Sequence, residues 1–266
     1  MNEILSVAVF IFGLLVGSFL NVYVLRYNTG KGLRGRSCCL SCGETLSAGE
    51  LVPLFSFLFL RGRCIHCKSR ISLQYPIVEL VSGLVFLGVF LTARSPSEFI
   101  FMSVIFSLLL GISMYDMLHG IIPNRLVFAF IALSLAALFV DVLNGTFRTP
   151  SIVDALSGPL VALPLWFLFA VSKGKWIGLG DAKLALGIGW LFGMLSGFTV
   201  LVFSFWIGAL VSLSLMGLKR LLRTAKLNLR LKRFTMKSEI PFAPFLAASA
   251  LLVYFLDLNI ATLLLL

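Results

Sequence analysis

Apolar stretches long enough, or nearly long enough, to cross a bilayer recur along the whole chain. They fall at residues 4–25, 76–92, 99–115, 122–143, 151–171, 181–197, 198–217 and 240–260 of 266. A helix needs about 20 apolar residues to cross the hydrocarbon, and continuous apolar runs, rather than period-two alternation, point to helices. With 59% hydrophobic residues, 12% charged and a mean hydropathy of +1.05, a water-soluble globule is excluded. We expect an all-α polytopic membrane protein of about eight transmembrane helices. The sixth and seventh spans run together around Gly193 and Gly197, which leaves their boundary open. Only Glu3 precedes the first run, without a basic flank, so it reads as a retained span rather than a signal peptide.

The cations fix an orientation. With the N-terminus outside, the inner segments are 26–75, 116–125, 172–183 and 218–239, and they hold every Lys and Arg except Arg94 and Arg148. Cation-rich short loops stay on the cytoplasmic side, so both termini are expected outside. The same asymmetry accounts for the net charge of +11 without a nucleic-acid partner. In the densest basic run, Lys219–Lys237, the spacing of Lys219, Arg220, Arg223, Lys226, Arg230 and Arg233 suits a helix lying on anionic lipid headgroups, and could also attract an acidic partner.

All five cysteines lie in the loop between the first two spans. Cys39-Ser-Leu-Cys42 and Cys64-Ile-His-Cys67 form two C-x-x-C knuckles, with Gly43 following the first. Four thiolates at this spacing suit a closed, structural tetrahedral zinc site. Two disulfides are the competing reading, disfavoured in a reducing cytosol. Cys38 is a fifth thiol able to replace Cys39, and His66 reads as a solvated spacer. The loop is therefore expected to be a small zinc-binding cytoplasmic domain, residues 26–75. Its apolar middle, Leu51 to Leu60, is too short to span and forms either a core or a re-entrant segment against the membrane.

Two aspartates stand at the cytoplasmic ends of spans. Asp116 closes the third, ahead of Ile122-Pro123-Asn124, and Asp181 opens the sixth, within Gly178-Leu-Gly-Asp-Ala-Lys183. Carboxylates in or near hydrocarbon are costly and mark function by default. If the two helices pack together, the carboxylates meet at one depth. Such a pair holds one shared proton, so one member can activate water while the other polarises a peptide carbonyl. Gly178 and Gly180 admit a backbone beside Asp181, and Lys183 either snorkels to the surface or tunes the nearby carboxylate. Each aspartate taken alone could equally be a helix cap facing headgroups. A proton-coupled transporter or an inert secretion scaffold would use the same acids or the same zinc loop differently. A transporter, however, predicts acids at the midplane and inverted repeats.

The motifs together narrow this further. Gly17-Ser-Phe-Leu-Asn-Val22, the paired knuckles with Leu60-Arg-Gly-Arg63, Tyr75-Pro-Ile-Val-Glu-Leu80, Asp116 with Ile122-Pro-Asn124, the Gly178–Lys183 segment and Ile240-Pro-Phe-Ala-Pro-Phe-Leu246 resemble, in order and spacing, bacterial type IV prepilin peptidases. The resemblance implies an inner-membrane aspartic endopeptidase that cuts the basic leader from type IV prepilins or pseudopilins, with Asp116 and Asp181 as its catalytic pair. Members with the cysteine loop typically also methylate the new N-terminus with S-adenosylmethionine, which leaves a peptidase-only enzyme as the alternative. The methyltransferase-associated domain would be residues 26–75, after a first helix at 1–25, with a seven-helix peptidase domain at 76–266. No pattern places the S-adenosylmethionine site. Glu79 is open between a cofactor role and a buried hydrogen-bond partner, and Asn21 reads as an inter-helix contact. Ala243 stands where the family often has glycine. Oligomeric state is not readable from the chain.

Overall fold

The computed structural model describes residues 2–29, 35–141, 146–224 and 241–259. The chain divides into two compact units, Met1–Ser107 and Leu108–Leu266. Apart from one pair of two-residue strands, the regular structure among the described residues is helical.

In the first unit, α1 (Asn2–Arg26) packs along α3 (Gln74–Thr92). Between them lie a 3-10 turn, Ala48–Leu51, and the five-residue α2, Phe55–Phe59. Gly13 and Gly17, one turn apart, make the close approach possible. A methyl group on Gly13 would sit 2.8 Å from the Phe86 Cβ, and one on Gly17 would sit 2.8 Å from the Glu79 Cα. This is the small-xxx-small packing by which membrane helices gain dispersion contact without a hydrophobic driving force. Asn21 donates from Nδ2 to the carbonyls of Gly17 and Tyr75, each at 3.3 Å, and so ties the end of α1 to the start of α3. α4 (Pro96–His119) then begins with proline in its first turn, where the missing N–H costs nothing. There the Ser95 hydroxyl accepts the Glu98 N–H, and Glu98 accepts the Arg94 N–H.

The second unit is organised on α7 (Leu179–Thr224), against which α5 (Asn124–Phe139), α6 (Ile152–Ser172) and α8 (Ala243–Leu256) all pack. The Phe130 ring lies against Gly187. Ser157 Oγ donates to the Gly189 carbonyl at 2.8 Å, and Trp190 Nε1 donates to the Ala155 carbonyl at 3.0 Å. These bonds satisfy polar groups that lipid could not.

Five helices are long and apolar enough to cross a membrane: Glu3–Arg26, Gln74–Thr92, Pro96–His119, Ile152–Ser172 and Leu179–Gly217. Shorter apolar helices cover Asn124–Phe139 and Ala243–Leu256. On α7, Trp206, Leu210 and Leu213 are each about two-thirds exposed, a face suited to hydrocarbon rather than water.

Each expected span has a helical counterpart, with three differences. The sixth and seventh are the two arms of α7, separate helices that meet at Gly193 (φ 78°, ψ −178°), where only glycine is comfortable. The break comes before the expected 197/198 boundary. The fourth stops at Phe139 rather than 143, because Val140–Asp141 pairs antiparallel with Thr146–Phe147 (β1 and β2). Helix α8 ends at Leu256, with Asp257 in a left-handed cap. The basic run expected to lie on headgroups falls, beyond Thr224, outside the described residues.

Candidate active site and metal centre

The cysteine loop folds into two similar turns. The Cys39 N–H donates to the Glu44 carbonyl at 2.9 Å, and the Cys64 N–H donates to the Ser69 carbonyl at 3.0 Å. Each knuckle is followed by a left-handed residue, Gly43 (φ 76°) in the first and Lys68 (φ 58°) in the second. The two turns aim Cys39, Cys42, Cys64 and Cys67 at one point, with all four sulfurs within 4.8 Å of one another. Zinc–thiolate bonds of about 2.3 Å place tetrahedral sulfurs about 3.8 Å apart. Cys39 Sγ and Cys67 Sγ are 3.8 Å apart, so the donor set fits a zinc ion. Cys38 pairs with Thr45 through the backbone instead, and both Cys38 and His66 lie outside the cluster. The Cys42 and Ser41 N–H groups hold the Cys39 thiol down to about 6. At Cys42 the Glu44 N–H favours the thiolate, but desolvation and the Cys39 and Cys67 sulfurs outweigh it and push the thiol up to about 12.

The aspartates come from the last turn of α4 and the first turn of α7. Gly120, left-handed at φ 64°, ends α4 and donates its N–H to the Asp116 carbonyl at 2.7 Å, the usual αL helix stop. Both side chains are buried, 5% exposed at Asp116 and 8% at Asp181. Asp116 Oδ2 accepts the Ala243 N–H at 3.2 Å, and Asp181 Oδ2 accepts the Gly178 N–H at 3.3 Å. Asp116 lies close enough to Asp181 to act on it electrostatically. Asp181 Oδ1 is buried with no hydrogen-bond partner among the described residues.

The surrounding residues divide their work. Gly180 lets the Ile122 side chain lie on the start of α7, since a methyl group there would meet the Ile122 Cβ at 2.8 Å. At Gly178 a methyl group would meet only the Asp181 Oδ2, at an ordinary 3.4 Å. Lys183 reaches outward, where its ammonium has an exposed partner. Its Nζ donates to Asn124 Oδ1 at 3.1 Å and lies 5.1 Å from the centre of the Phe128 ring, so it braces α5 against α7. Ser113 Oγ, one turn before Asp116, donates to the Leu109 carbonyl at 2.7 Å and reaches the Ala243 carbonyl at 3.4 Å. Sequence reading passed over both Ser113 and the Ala243 amide. The one available signal was the pair Pro241 and Pro244, which bracket a helix start.

Glu79 belongs to the first unit. Its Oε2 accepts the Leu54 N–H at 2.9 Å, and it also interacts with Ser18. In this position the carboxylate acts as a buried hydrogen-bond partner within the first unit.

Apolar helices of membrane-crossing length define a multi-pass membrane protein, which also carries two buried carboxylates at helix ends and a four-thiolate cluster. Residues 11–93 match the bacterial peptidase A24 N-terminal domain, and residues 103–213 match the type IV leader peptidase family. The prepilin leader peptidase/N-methyltransferase of Bacillus subtilis is 33% identical over 247 residues, covering 92% of each chain. Those of Burkholderia pseudomallei and Aeromonas hydrophila are 32% and 28% identical, over 90% of this chain and 81% and 86% of theirs. No solved structure matches the chain. The chain belongs to the type IV leader peptidase family.

Proposed function

We propose that the chain is an aspartic endopeptidase that removes the leader of type IV prepilins or pseudopilins, with Asp116 and Asp181 as the catalytic pair, and that it methylates the N-terminus so released. The observation that carries the peptidase reading is the pair of buried carboxylates at the facing ends of α4 and α7, each held by one backbone N–H, with one Asp181 oxygen unpartnered among the described residues. Working with one proton between them, the ionised carboxylate takes a proton from water as its oxygen attacks the scissile carbonyl. The protonated carboxyl hydrogen-bonds the developing oxyanion. Collapse of the tetrahedral species breaks the C–N bond, and the leaving amine takes up a proton from the pair. The Ala243 and Gly178 N–H groups hold the carboxylates in place throughout.

The protein sits in the bacterial inner membrane with both termini outside and the cysteine loop and aspartates facing the cytoplasm, a reading supported by the placement of the cations. A basic leader then rests in the cytosol, and the apolar helix after it lies in the bilayer. Residues 1–25 form the first helix, 26–75 the zinc domain and 76–266 the peptidase domain. Cys39, Cys42, Cys64 and Cys67 would hold zinc as a cross-link for a loop with little core of its own. The methyl donor would be S-adenosylmethionine, which supplies the transferred methyl group; we assign no residue to hold it.

Mass spectrometry of a prepilin incubated with the full-length enzyme and S-adenosylmethionine tests both halves. A shortened product carrying one added methyl is expected. A shortened product without it leaves a peptidase only, and an uncut prepilin removes the proposal.

A further inference from the structure

The apolar middle of the cysteine loop is not a core. Helix α2 buries none of its residues, and Phe55, Leu58 and Phe59 are 55%, 69% and 83% exposed. Solvated side chains of that kind in a small domain need a cover.

The depth at which α2 is held says what the cover is. Helix α3 has 19 residues, about 28 Å at 1.5 Å per residue, against a hydrocarbon core of about 30 Å. It therefore needs nearly its whole length to cross, which puts Gln74 at the membrane surface. Glu79 lies five residues further along, roughly 7 Å deeper. Leu54, the residue before α2, donates its N–H to Glu79 Oε2 at 2.9 Å, and it does so from the centre of a γ-turn at φ 61°, ψ −50°. The tether thus holds the start of α2 within about one helical turn of the end of the span, in the zone where interfacial helices bury their apolar faces.

Charge agrees. Between Glu50 and Glu79 the chain has no acid but carries Arg61, Arg63, Lys68 and Arg70. Three of these cations, Arg61, Arg63 and Lys68, join Phe59, Leu60 and Ile65 around a cavity of about 610 Å³. A cationic cavity with an apolar lip suits a phosphate headgroup whose acyl chains lie beside it. It repels a basic peptide, so a prepilin leader is the poorer occupant.

We propose that residues 54–70 are a membrane-surface anchor, with α2 lying in the lipid interface and the adjoining basic cavity holding the headgroup of an anionic phospholipid. The anchor depends on the chain being a membrane protein, not on its peptidase activity. It would keep the zinc centre on the bilayer.

The test uses the full-length protein in lipid nanodiscs. Phe59→Trp adds an indole, whose emission is isolated by subtracting the parent protein with its four tryptophans. In discs containing phosphatidylglycerol, lipids brominated on the acyl chains should quench most of the added emission, and acrylamide should quench little. The pattern should weaken in phosphatidylcholine discs and in the same protein with Arg61→Gln, Arg63→Gln and Lys68→Gln. Zinc content equal to the parent's certifies that each variant folds. Should the triple variant fail that check, the phosphatidylglycerol dependence of Phe59→Trp alone decides. An added indole open to acrylamide and untouched by bromolipid overturns the proposal, as does shielding that appears only when a prepilin is added. Equal quenching in phosphatidylcholine overturns the headgroup site.

Discussion

The Asp116 carboxylate receives the backbone N–H of Ala243 at 3.2 Å, across 127 residues of chain. The same Ala243 offers its carbonyl to Ser113, one turn earlier on α4. The first residue of α8 is thereby clasped on both polar sides by α4, and one buried carboxylate is set by a backbone group from the other end of the second unit.

Neutralising either aspartate while keeping its shape isolates the chemistry. Asp116→Asn and Asp181→Asn are each expected to lower leader cleavage by at least ~100-fold, the scale of a lost acid–base group. Zinc content should stay at the parent's level. A single-turnover cleavage assay on purified protein reads this directly, and normal cleavage by either variant would remove that residue from the site.

The two glycines beside Asp181 should differ. At Gly180 a methyl group would press on the Ile122 Cβ at 2.8 Å, whereas at Gly178 the nearest atom is the Asp181 Oδ2 at 3.4 Å. Gly180→Ala is expected to cost about 1–3 kcal/mol of overpacking and to reduce cleavage more than Gly178→Ala. Ile122→Ala keeps the Cβ but removes the Cδ1 and Cγ1 contacts at 3.0 and 3.2 Å, so adding it should restore part of the loss, a coupling that a double-mutant cycle measures.

Zinc binding should tighten as pH rises. Metal requires thiolates. Cys39, held down to about 6, is already ionised at pH 7, but Cys42, pushed up to about 12, keeps its proton until the metal displaces it. Each displaced proton makes affinity rise about tenfold per pH unit. The slope should steepen below pH 6, where Cys39 also becomes protonated. Competition with a chromophoric chelator between pH 5.5 and 8, in roughly half-unit steps, measures the slope. Cys42→Ser or Cys64→Ser should abolish binding of the single expected ion.

Gly193→Ala places a side chain at φ 78°. A cost of about 1–3 kcal/mol is expected, visible as a lower Tm in detergent. An unchanged Tm would mean that the break in α7 tolerates side chains.

The legible features were those written in side-chain identity along the chain. Long apolar runs have one structural outcome, and four cysteines in two C-x-x-C turns have few, so the helices and the sulfur cluster could be read directly. The expectation that the two aspartates pair came from the cation pattern, which predicts both at one face. What escaped notice was carried by backbone or by contact. The Ala243 amide has no side-chain signature, and the Gly13 and Gly17 approach depends on which helix lies opposite. Lys183 was read through its neighbour in sequence, whereas the helix turns it toward Asn124 and Phe128. The boundary in α7 was misplaced because Gly193 and Gly197 are equivalent in composition and only one has an open φ.

The helices around the two aspartates share one further property. Helix α5 has 16 residues and α8 has 14, and the arm of α7 before Gly193 runs only from Leu179. At 1.5 Å per residue these are about 20–25 Å long, well short of the roughly 30 Å of hydrocarbon. A bilayer meeting such short rods must pinch inward around them, or leave their ends submerged beneath a dimple of headgroups and water. Either way, hydration is drawn down toward a peptide bond that would otherwise be dry.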